Sequence, residues 1–458
     1  MNFSYLRREP GFYRRVFTLA LPVVLQNLIT TSLGFMDTFM VGLVGQEQMS
    51  AVTVANVPIY IIQLIVFGLQ SGSRVLISQF WGRGDRESIN RVMGIGFFVA
   101  GGISTLCALT MGLFPRQVLM LITDNARLVE LGTSYIRIVG FSYILNSLSS
   151  IYIGMQQSIE NPRFGMTVFA ISTVCNTVGN YILIFGKLGL PALGITGAAI
   201  ATFSSRVVEF VISLVYALRC KQMPLMPACI LRPGKATFRS FVKFSTPVLL
   251  NETLWGTGTS LYTVIMGHMA GSTDLISAYT VAGNIDKMVT VALFGVAAVI
   301  VGKEVGMGGK NAYPIGQALT FVAFCTGFGV AIAEQLLFWL VLKPHVLPLF
   351  SMTAASASLC VTMMICYSIS APLHAFATTG IVGVLRGGGD VRIAMLIDVL
   401  PLWCFTLPLL VLLGLVLHAP IAIFCFIMAT ESALKVPFGL HRIRGGKWIH
   451  DVTQDLNA

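Results

Sequence analysis

The chain is too apolar for a soluble enzyme and carries too much hydrophobic content to stay disordered. It has 458 residues, of which 55% are hydrophobic and only 11% are charged, and its mean hydropathy is +0.81. In a soluble protein the net charge of +11 would suggest nucleic-acid binding. In a chain this apolar, basic residues instead mark the loops on one side of a membrane. The composition therefore predicts a polytopic membrane protein that contacts the lipid bilayer and no nucleic acid.

Long apolar segments recur along the whole chain. A membrane-spanning helix needs roughly 20 mostly apolar residues, and none of these segments shows the period-two alternation of a β-barrel strand. The sequence therefore predicts an all-α polytopic membrane protein with twelve transmembrane helices. The predicted spans are 16–43, 51–78, 92–114, 128–153, 164–186, 193–217, 241–268, 275–301, 314–341, 357–385, 393–416 and 417–437.

The basic residues are distributed unequally between the two sides of the predicted spans. Of the 30 lysines and arginines, 22 fall on the side that holds the N-terminus, among them Arg386 and Lys435. Arg116, Arg127, Lys187 and Lys343 fall on the other side. Positively charged loops are retained in the cytoplasm. We therefore expect a multi-pass protein of the plasma (inner) membrane with both termini in the cytoplasm.

The chain contains an internal repeat. The segment PVVLQNLITTSLGFMDTFMVG, which starts at Pro22, aligns without a gap with PVLLNETLWGTGTSLYTVIMG, which starts at Pro247. Transporters with two such halves bind substrate near the membrane midplane and move the halves for alternating access. The repeat predicts two pseudo-symmetric six-helix lobes, residues 1–218 and residues 241–458 with a short cytoplasmic tail. Residues 219–240 form the predicted cytoplasmic linker.

A carboxylate in the first predicted span is the strongest candidate site. Asp37 shares a helical stripe with Asn27, Thr30 and Gly34, and ionisable residues inside spans usually face a partner or a cavity. A site of low polarity favours the protonated carboxyl, while its oxygens would also suit a small cation. The group is therefore expected to bind H⁺ or Na⁺, and no other metal site is predicted. The expected co-ligands, which offer amide and hydroxyl oxygens, are Asn176, Asn180 and Thr202.

The second half offers a further candidate ion site and part of a substrate cavity. Glu252 occupies the repeat position of Asn27, and Asp398 precedes two prolines that interrupt its span. Other acidic and basic residues, namely Arg206, Glu209, Glu334 and Glu431, are expected near span ends in solvated or structural roles. The second candidate site comprises Glu252, Asp286 and Asp398, and the predicted cavity residues are Asn27, Gly34, Thr259, Thr263 and His374.

Four motifs of the chain are distinctive. They are MDTFMVG followed by VTVAN, the loop SQFWGRGD, the run NYILIFGKLGLPALGITGAAIAT, and LRGGGDVR. These motifs resemble those of multidrug and toxic compound extrusion (MATE) transporters of the bacterial type. The resemblance covers essentially the whole chain. It implies two six-helix lobes that form a V and exchange organic cations for H⁺ or Na⁺. It also implies that Asp37 is the coupling aspartate and that Asn176 and Asn180 are its partners on the fifth helix, with Thr202 as a further match.

One departure from the family pattern favours the first lobe. A branch with coupling in the second lobe carries an acid on the tenth helix, whereas here no Asp or Glu lies between Lys343 and Arg386. The sequence therefore favours coupling at Asp37, and H⁺ over Na⁺. The expected function is a secondary antiporter that exports cationic amphipathic compounds, acts as a monomer and needs no cofactor.

Three other functions were weighed against an antiporter. A lipid-linked flippase of the same superfold would be expected to carry a basic cavity, whereas the charges inside the spans are mostly acidic. A major-facilitator-type carrier is suggested faintly by the loop WGRGDRESINR, but the repeat geometry favours the MATE pattern. A membrane enzyme has no support, because the chain lacks HExxH, GxSxG and P-loop motifs.

Overall fold

The computed structural model describes residues 11–269, 272–289, 294–346 and 353–454. These residues are almost entirely helical, and the only β-pairing among them is an isolated bridge between Gly389 and Ile449. Ten helices in this part of the chain are long and apolar enough to cross a membrane. The predicted all-α membrane architecture is therefore confirmed.

The helices of the first half match the first seven predicted spans and extend beyond most of their ends. The helix that matches the seventh span, α9, is not among the ten long apolar helices because polar and basic residues interrupt it. The helices are α1 (Gly11–Gly42), α2 (Gln46–Arg83), α3 (Arg86–Leu113), α4 (Pro115–Met120), α5 (Ala126–Ser158), α6 (Pro162–Phe185), α7 (Gly194–Arg219), α8 (Pro227–Leu231) and α9 (Lys235–Gly267).

The second half contains shorter helices and several wider, π-helical turns. The eighth predicted span falls on two helices, α10 and α11, and residues 290–293 between them lie outside the described residues. The helices are α10 (Ser272–Val289), α11 (Phe294–Gly306), α12 (Ala312–Leu337), α13 (Ala354–Ala377), α14 (Val391–Pro401), α15 (Leu407–Val411) and α16 (Ile421–Arg444). The π-helical segments are Phe338–Val346, Thr378–Leu385, Leu402–Thr406 and Leu412–Val416.

Proline explains the irregular turns around α14 and α15. A proline inside a helix donates no hydrogen bond, and its ring clashes with the carbonyl one turn earlier. Pro401 directly precedes the π-helical segment Leu402–Thr406, and Pro408 lies one turn before Leu412–Val416. In a membrane such wide turns re-satisfy the backbone groups that the proline leaves without partners. The span after Asp398 is therefore interrupted where the two prolines occur.

The chain divides into two compact units, and the division falls inside α9. The N-terminal unit is Phe17–Leu249, and the C-terminal unit is Leu250–Gln454 together with residues 11–16. In the N-terminal unit α5 packs against α2, α3 and α7. In the C-terminal unit α13 packs against α10, α12 and α16. The predicted lobe bounds at 218 and 241 stay a prediction.

The segment predicted as a linker is docked onto the N-terminal unit. Asn90 on α3 is fully buried. Its side-chain amide donates to the carbonyl of Pro224 at 3.2 Å, and its oxygen accepts from the backbone N–H of Met226 at 3.1 Å. The backbone of Ile230 on α8 lies directly against Gly94. Residues 224–230 are therefore held by specific contacts with α3.

Close packing of α12 against α13 depends on a glycine. A Cβ atom at Gly327 would lie 2.5 Å from the Cα of Pro372 and 3.0 Å from the carbonyl oxygen of Ala371. Both are backbone or ring-locked atoms that cannot rotate away. Small residues at such crossings let membrane helices approach closely, which is a main source of attraction where no hydrophobic effect acts.

Gly327→Ala should destabilise the protein by about 1–3 kcal/mol, the usual range for overpacking. Gly329→Ala is the matched control, because a Cβ at Gly329 would meet no atom within 4 Å. Thermal unfolding of the purified protein in detergent should show a lower midpoint for the first variant and an unchanged or higher midpoint for the second. Equal midpoints would show that the crossing tolerates a methyl group.

Candidate functional site

Three helices of the N-terminal unit bring the predicted site residues into one hydrogen-bonded chain. The amide nitrogen of Asn180 on α6 donates to Oδ1 of Asp37 on α1 at 2.5 Å and to Oδ1 of Asn176 at 2.9 Å. The amide nitrogen of Asn176 donates to Oγ1 of Thr202 on α7 at 3.4 Å. The two asparagines lie four residues apart and therefore share one helix face. The structure thus connects all four predicted side chains.

One oxygen in this series of four hydrogen-bonded side chains has no partner among the described residues. Asn176 and Asn180 are each only 1% exposed, and the buried Oδ1 of Asn180 accepts no hydrogen bond. Such atoms are rare in folded proteins. An acceptor without a donor on the residue that holds Asp37 can accept a proton carried by that carboxyl or contact a cation. The four-residue chain can therefore bind a positive charge.

Asp37 lies in the wall of a cavity inside the N-terminal unit. The cavity has a volume of about 560 Å³, which is within the range of small-molecule sites. Thr202 and Gly34 also line it, so two more predicted residues reach this space. The wall combines aromatic rings with amide side chains, among them Tyr60, Phe67, Tyr135, Tyr143, Phe169, Asn56, Gln63 and Gln70.

The positive charge in the cavity wall is balanced by a buried acid. Arg206 lines the cavity, and its Nη1 lies 2.7 Å from Oε2 of Glu209 one turn along α7. Glu209 is completely buried and also accepts from the amide of Asn146 at 3.1 Å. Both charged residues lie in the middle of α7, so the expectation that they sit near a span end is wrong. Because the pair of Arg206 and Glu209 has no net charge, ionised Asp37 gives the cavity wall one net negative charge.

Hydroxyl groups that the sequence did not single out complete the wall. Tyr143 on α5 accepts from the amide of Gln63 on α2 at 2.6 Å, and Tyr135 donates to Asn56 at 3.5 Å. Each pair joins α2 to α5 across the cavity. A single tyrosine or glutamine in an apolar span resembles ordinary packing, so only the three-dimensional pairing reveals this role.

The remaining predicted cavity residues do not gather at this site. Asn27 is exposed and does not line the cavity, although it shares a helix stripe with Asp37. In the C-terminal unit, the hydroxyl of Thr259 donates a hydrogen bond to the carbonyl of Trp255 in the same helix, and Thr263 is exposed. His374 contacts the hydroxyl of Ser432 through Nδ1 at 3.2 Å.

The acids of the second candidate site lie in a buried network of ion pairs. Oε1 of Glu252 lies 2.6 Å from Nη1 of Arg386, and Oδ1 of Asp398 lies 2.8 Å from Nζ of Lys435. Lys435 also pairs with Oε1 of Glu431 at 2.6 Å, and Arg386 approaches Asp398 at 3.9 Å. We call these five residues the C-unit ion network. Asp286 lies on another helix, α10.

Two basic residues of the network are enclosed by protein. The side chains of Arg386 and Lys435 are only 3% and 5% exposed, and their assignment to the cytoplasmic side stays a prediction. The signal for Lys435 was its spacing of four residues from Glu431, which places opposite charges on one helix face. Glu252 and Asp398 are paired with these two cations. The two acids are therefore less suited to bind a transported ion.

The internal repeat places a tyrosine where the first half has its carboxylate. Tyr262 occupies the repeat position of Asp37. Its hydroxyl donates to Oε2 of Glu431 at 2.7 Å. The C-terminal unit therefore uses this position to anchor the C-unit ion network, and the two halves differ in chemistry at equivalent points of their first helices.

Comparison with known proteins shows which family the chain resembles. Residues 22–182 match the MatE family. The chain is 26% identical to multidrug resistance protein MdtK of Edwardsiella ictaluri over 415 residues, 88% of each chain. It is 24% identical to the probable multidrug resistance protein NorM of Thermotoga maritima over 315 residues, 67% of each chain. The chain is therefore similar, over most of its length, to proteins of the MATE family.

The MATE fold extends over the whole chain. A crystal structure of MATE in complex with MaL6 superposes with a TM-score of 0.84, at 16% identity, over 97% of this chain and 98% of that one. The predicted twelve-helix fold is thereby confirmed. The likeness establishes the fold of this chain, a helical membrane protein with MATE architecture.

Proposed function

We propose that this MATE protein is a secondary antiporter that exports cationic amphipathic compounds in exchange for H⁺. Its two lobes give alternating access, and it resides in the plasma (inner) membrane with both termini in the cytoplasm. The names of the relatives MdtK and NorM, which are multidrug resistance proteins, support export of varied compounds. The single observation that carries the proposal is that Asp37 is the one acid in the described cavity wall without a basic partner.

The carboxyl group of Asp37 can exchange a proton for an organic cation. In its ionised form it gives the cavity a negative charge, which attracts a cation through a medium of low polarity. Tyr60, Phe67 and Phe169 supply faces on which a cation or an aromatic compound can rest. Protonation removes the charge, and the amide of Asn180 remains to orient the neutral group. Because each ligand weakens the binding of the other, the two bind in alternation.

The number of free oxygens favours H⁺ over Na⁺. Hard metal cations are typically held by about six oxygen ligands. Here Oδ1 of Asn176, Oδ1 of Asp37 and Oγ1 of Thr202 already accept hydrogen bonds, which leaves Oδ2 of Asp37 and Oδ1 of Asn180. A proton needs only one or two of these oxygens.

A pH gradient, and not a Na⁺ gradient, should drive transport. Purified protein would be reconstituted in proteoliposomes, and uptake of tetraphenylphosphonium would be followed under each gradient imposed separately. We expect uptake above protein-free liposomes with the pH gradient alone, and background uptake with the Na⁺ gradient alone. The reverse pattern would assign Na⁺ as the coupling ion, and no response to either gradient would refute antiport.

The charge of the cavity also argues against a lipid-linked flippase. A carrier for a phosphate-bearing headgroup would need uncompensated basic residues. Arg206 is the only basic residue in the described wall, and Glu209 neutralises it. Greater transport of an anionic amphiphile than of tetraphenylphosphonium in the same liposomes would reverse this choice.

A further inference from the structure

One acid of the C-terminal unit is buried without a basic partner. Glu334 on α12 is 0% exposed. Its Oε2 accepts from the hydroxyl of Ser368 on α13 at 3.0 Å, while its Oε1 has no hydrogen-bond partner. The sequence places Glu334 near a span end in a solvated or structural role. It is instead enclosed, because the helix continues beyond it into the π-helical segment Phe338–Val346.

The neighbours of Glu334 are fixed by their own hydrogen bonds. The amide of Gln335 donates to the hydroxyl of Ser368 at 2.7 Å and to the carbonyl of Met364 at 3.1 Å. Ser368 therefore has its acceptor occupied and directs its proton at Glu334. This arrangement aligns a donor with one carboxyl oxygen and leaves the other oxygen unoccupied.

Because the carboxyl group of Glu334 is buried, it must bind either a proton or a cation. An ionised carboxylate that has neither water nor a cation is extremely costly in a protein interior, whereas a neutral carboxyl with one unmet hydrogen bond costs about 1–3 kcal/mol. In the described part of the chain, Glu252, Asp398 and Glu431 all have basic partners, and Glu334 has none. Glu334 is therefore protonated whenever it is enclosed.

Among the described residues, no charged group around α12 forms an ion pair with Glu334. Asp286 on α10 is itself acidic, so it offers no positive charge; the side chain of Lys287 lies outside the described residues. None of the described side chains except Ser368 bonds to it. The other titratable residues of the elements that pack against α12 are Asp274, Tyr279, Lys303, Glu304, Lys343, Cys360, Cys366, Tyr367, His374, Cys425, Glu431, Lys435, His441, Arg442 and Arg444.

We propose that Glu334 is a second proton-binding site, which takes up and releases a proton during the transport cycle. The proposal rests on the proposed function as an H⁺ antiporter. The ligand is a proton because the only free oxygen is Oε1, which is too few for a metal cation. The π-helical turns that begin four residues later interrupt regular backbone bonding, and such turns often occur at functional sites.

Infrared spectroscopy can detect the proton on Glu334 directly. The C=O stretching band of protonated carboxyls would be recorded for purified protein across a pH titration. We expect wild type to lose a band component that Glu334→Gln lacks and that Asp37→Asn retains. Ser368→Ala, which keeps the carboxyl but removes its donor, should shift the frequency of that component. An identical band in wild type and Glu334→Gln would overturn the proposal.

Proton counting tests whether Glu334 takes part in transport. Protons and tetraphenylphosphonium would be counted together in proteoliposomes, by an indicator dye and by radiolabel. Glu334→Gln should lower the ratio from about two protons per cation to about one, and Glu130→Gln, an exposed control, should leave it unchanged. An unchanged ratio in Glu334→Gln would refute exchange at this site. If wild type moved no protons, the antiport proposal would fail, while the infrared band would still show whether Glu334 binds one.

Discussion

Asp37→Asn should reduce gradient-driven efflux to the level of membranes that lack the protein, while the protein remains folded and inserted. Asparagine has nearly the same shape and can still accept from Asn180, but it cannot ionise. The cavity wall then loses its net negative charge and its exchangeable proton together. Efflux of a fluorescent organic cation from cells, with the amount of membrane-inserted protein measured in parallel, provides the test.

The control for this variant is the same substitution outside the cavity. Asp124 is exposed and follows α4 in a connection between helices, so Asp124→Asn changes the net charge equally without touching the site. Its efflux should equal that of wild type. Normal efflux by Asp37→Asn would refute coupling at the N-terminal unit, and loss of efflux in both variants would point to a general effect of charge.

Lys435→Met should lower the thermal unfolding midpoint strongly. Removal of the lysine leaves the carboxylates of Asp398 and Glu431 buried without their shared cation. Breaking a buried pair in this way costs about 3–5 kcal/mol, which corresponds to a decrease of roughly 6–20 °C for a unit of this size. The midpoint would be measured in detergent at one fixed heating rate.

Two further variants separate lost charge balance from lost packing. Lys447→Met changes an exposed lysine near the end of the chain and should leave the midpoint unchanged. Lys435→Met combined with Asp398→Asn and Glu431→Gln should recover much of the loss, because neutral residues replace the lysine and both of its partners together while the pair of Glu252 with Arg386 remains. A Lys435→Met protein that melts like wild type would show that the C-unit ion network contributes little to stability.

Local spacing explains which features the sequence predicts well. The apolar spans and the pairing of Asn176 with Asn180 depend on helical period alone, so both can be derived from the chain. Asp37 stands out because a carboxylate inside a long apolar segment is energetically costly, and such residues are usually functional. The internal repeat adds the division into halves, since it relates distant segments by their residues.

Features that depend on pairing between distant helices cannot be predicted from the sequence. A basic residue at the end of an apolar run, such as Arg386, looks interfacial until its partner on another helix is known. Glu334 lies seven residues before the end of its predicted span, and its enclosure involves a contact with Ser368 on another helix that the residues alone do not signal. Asn27 illustrates the opposite error: it lies ten residues before Asp37, about 15 Å along the helix, so the shared stripe leaves the cavity before reaching it.

The pairing of buried acids with bases also bears on the energy source of transport. Glu209, Glu252, Asp398 and Glu431 have basic partners, whereas Asp37 and Glu334 have none in the described part of the chain. A cycle that exchanged protons at both of these acids for one monovalent cation would be electrogenic, because one net positive charge would enter. The membrane potential would then add about 2.3 kcal/mol per 100 mV to the driving force of each cycle. That energy would raise the concentration ratio of the exported compound across the membrane by roughly 50-fold. Exchange at Asp37 alone would be electroneutral and would draw on the pH difference only.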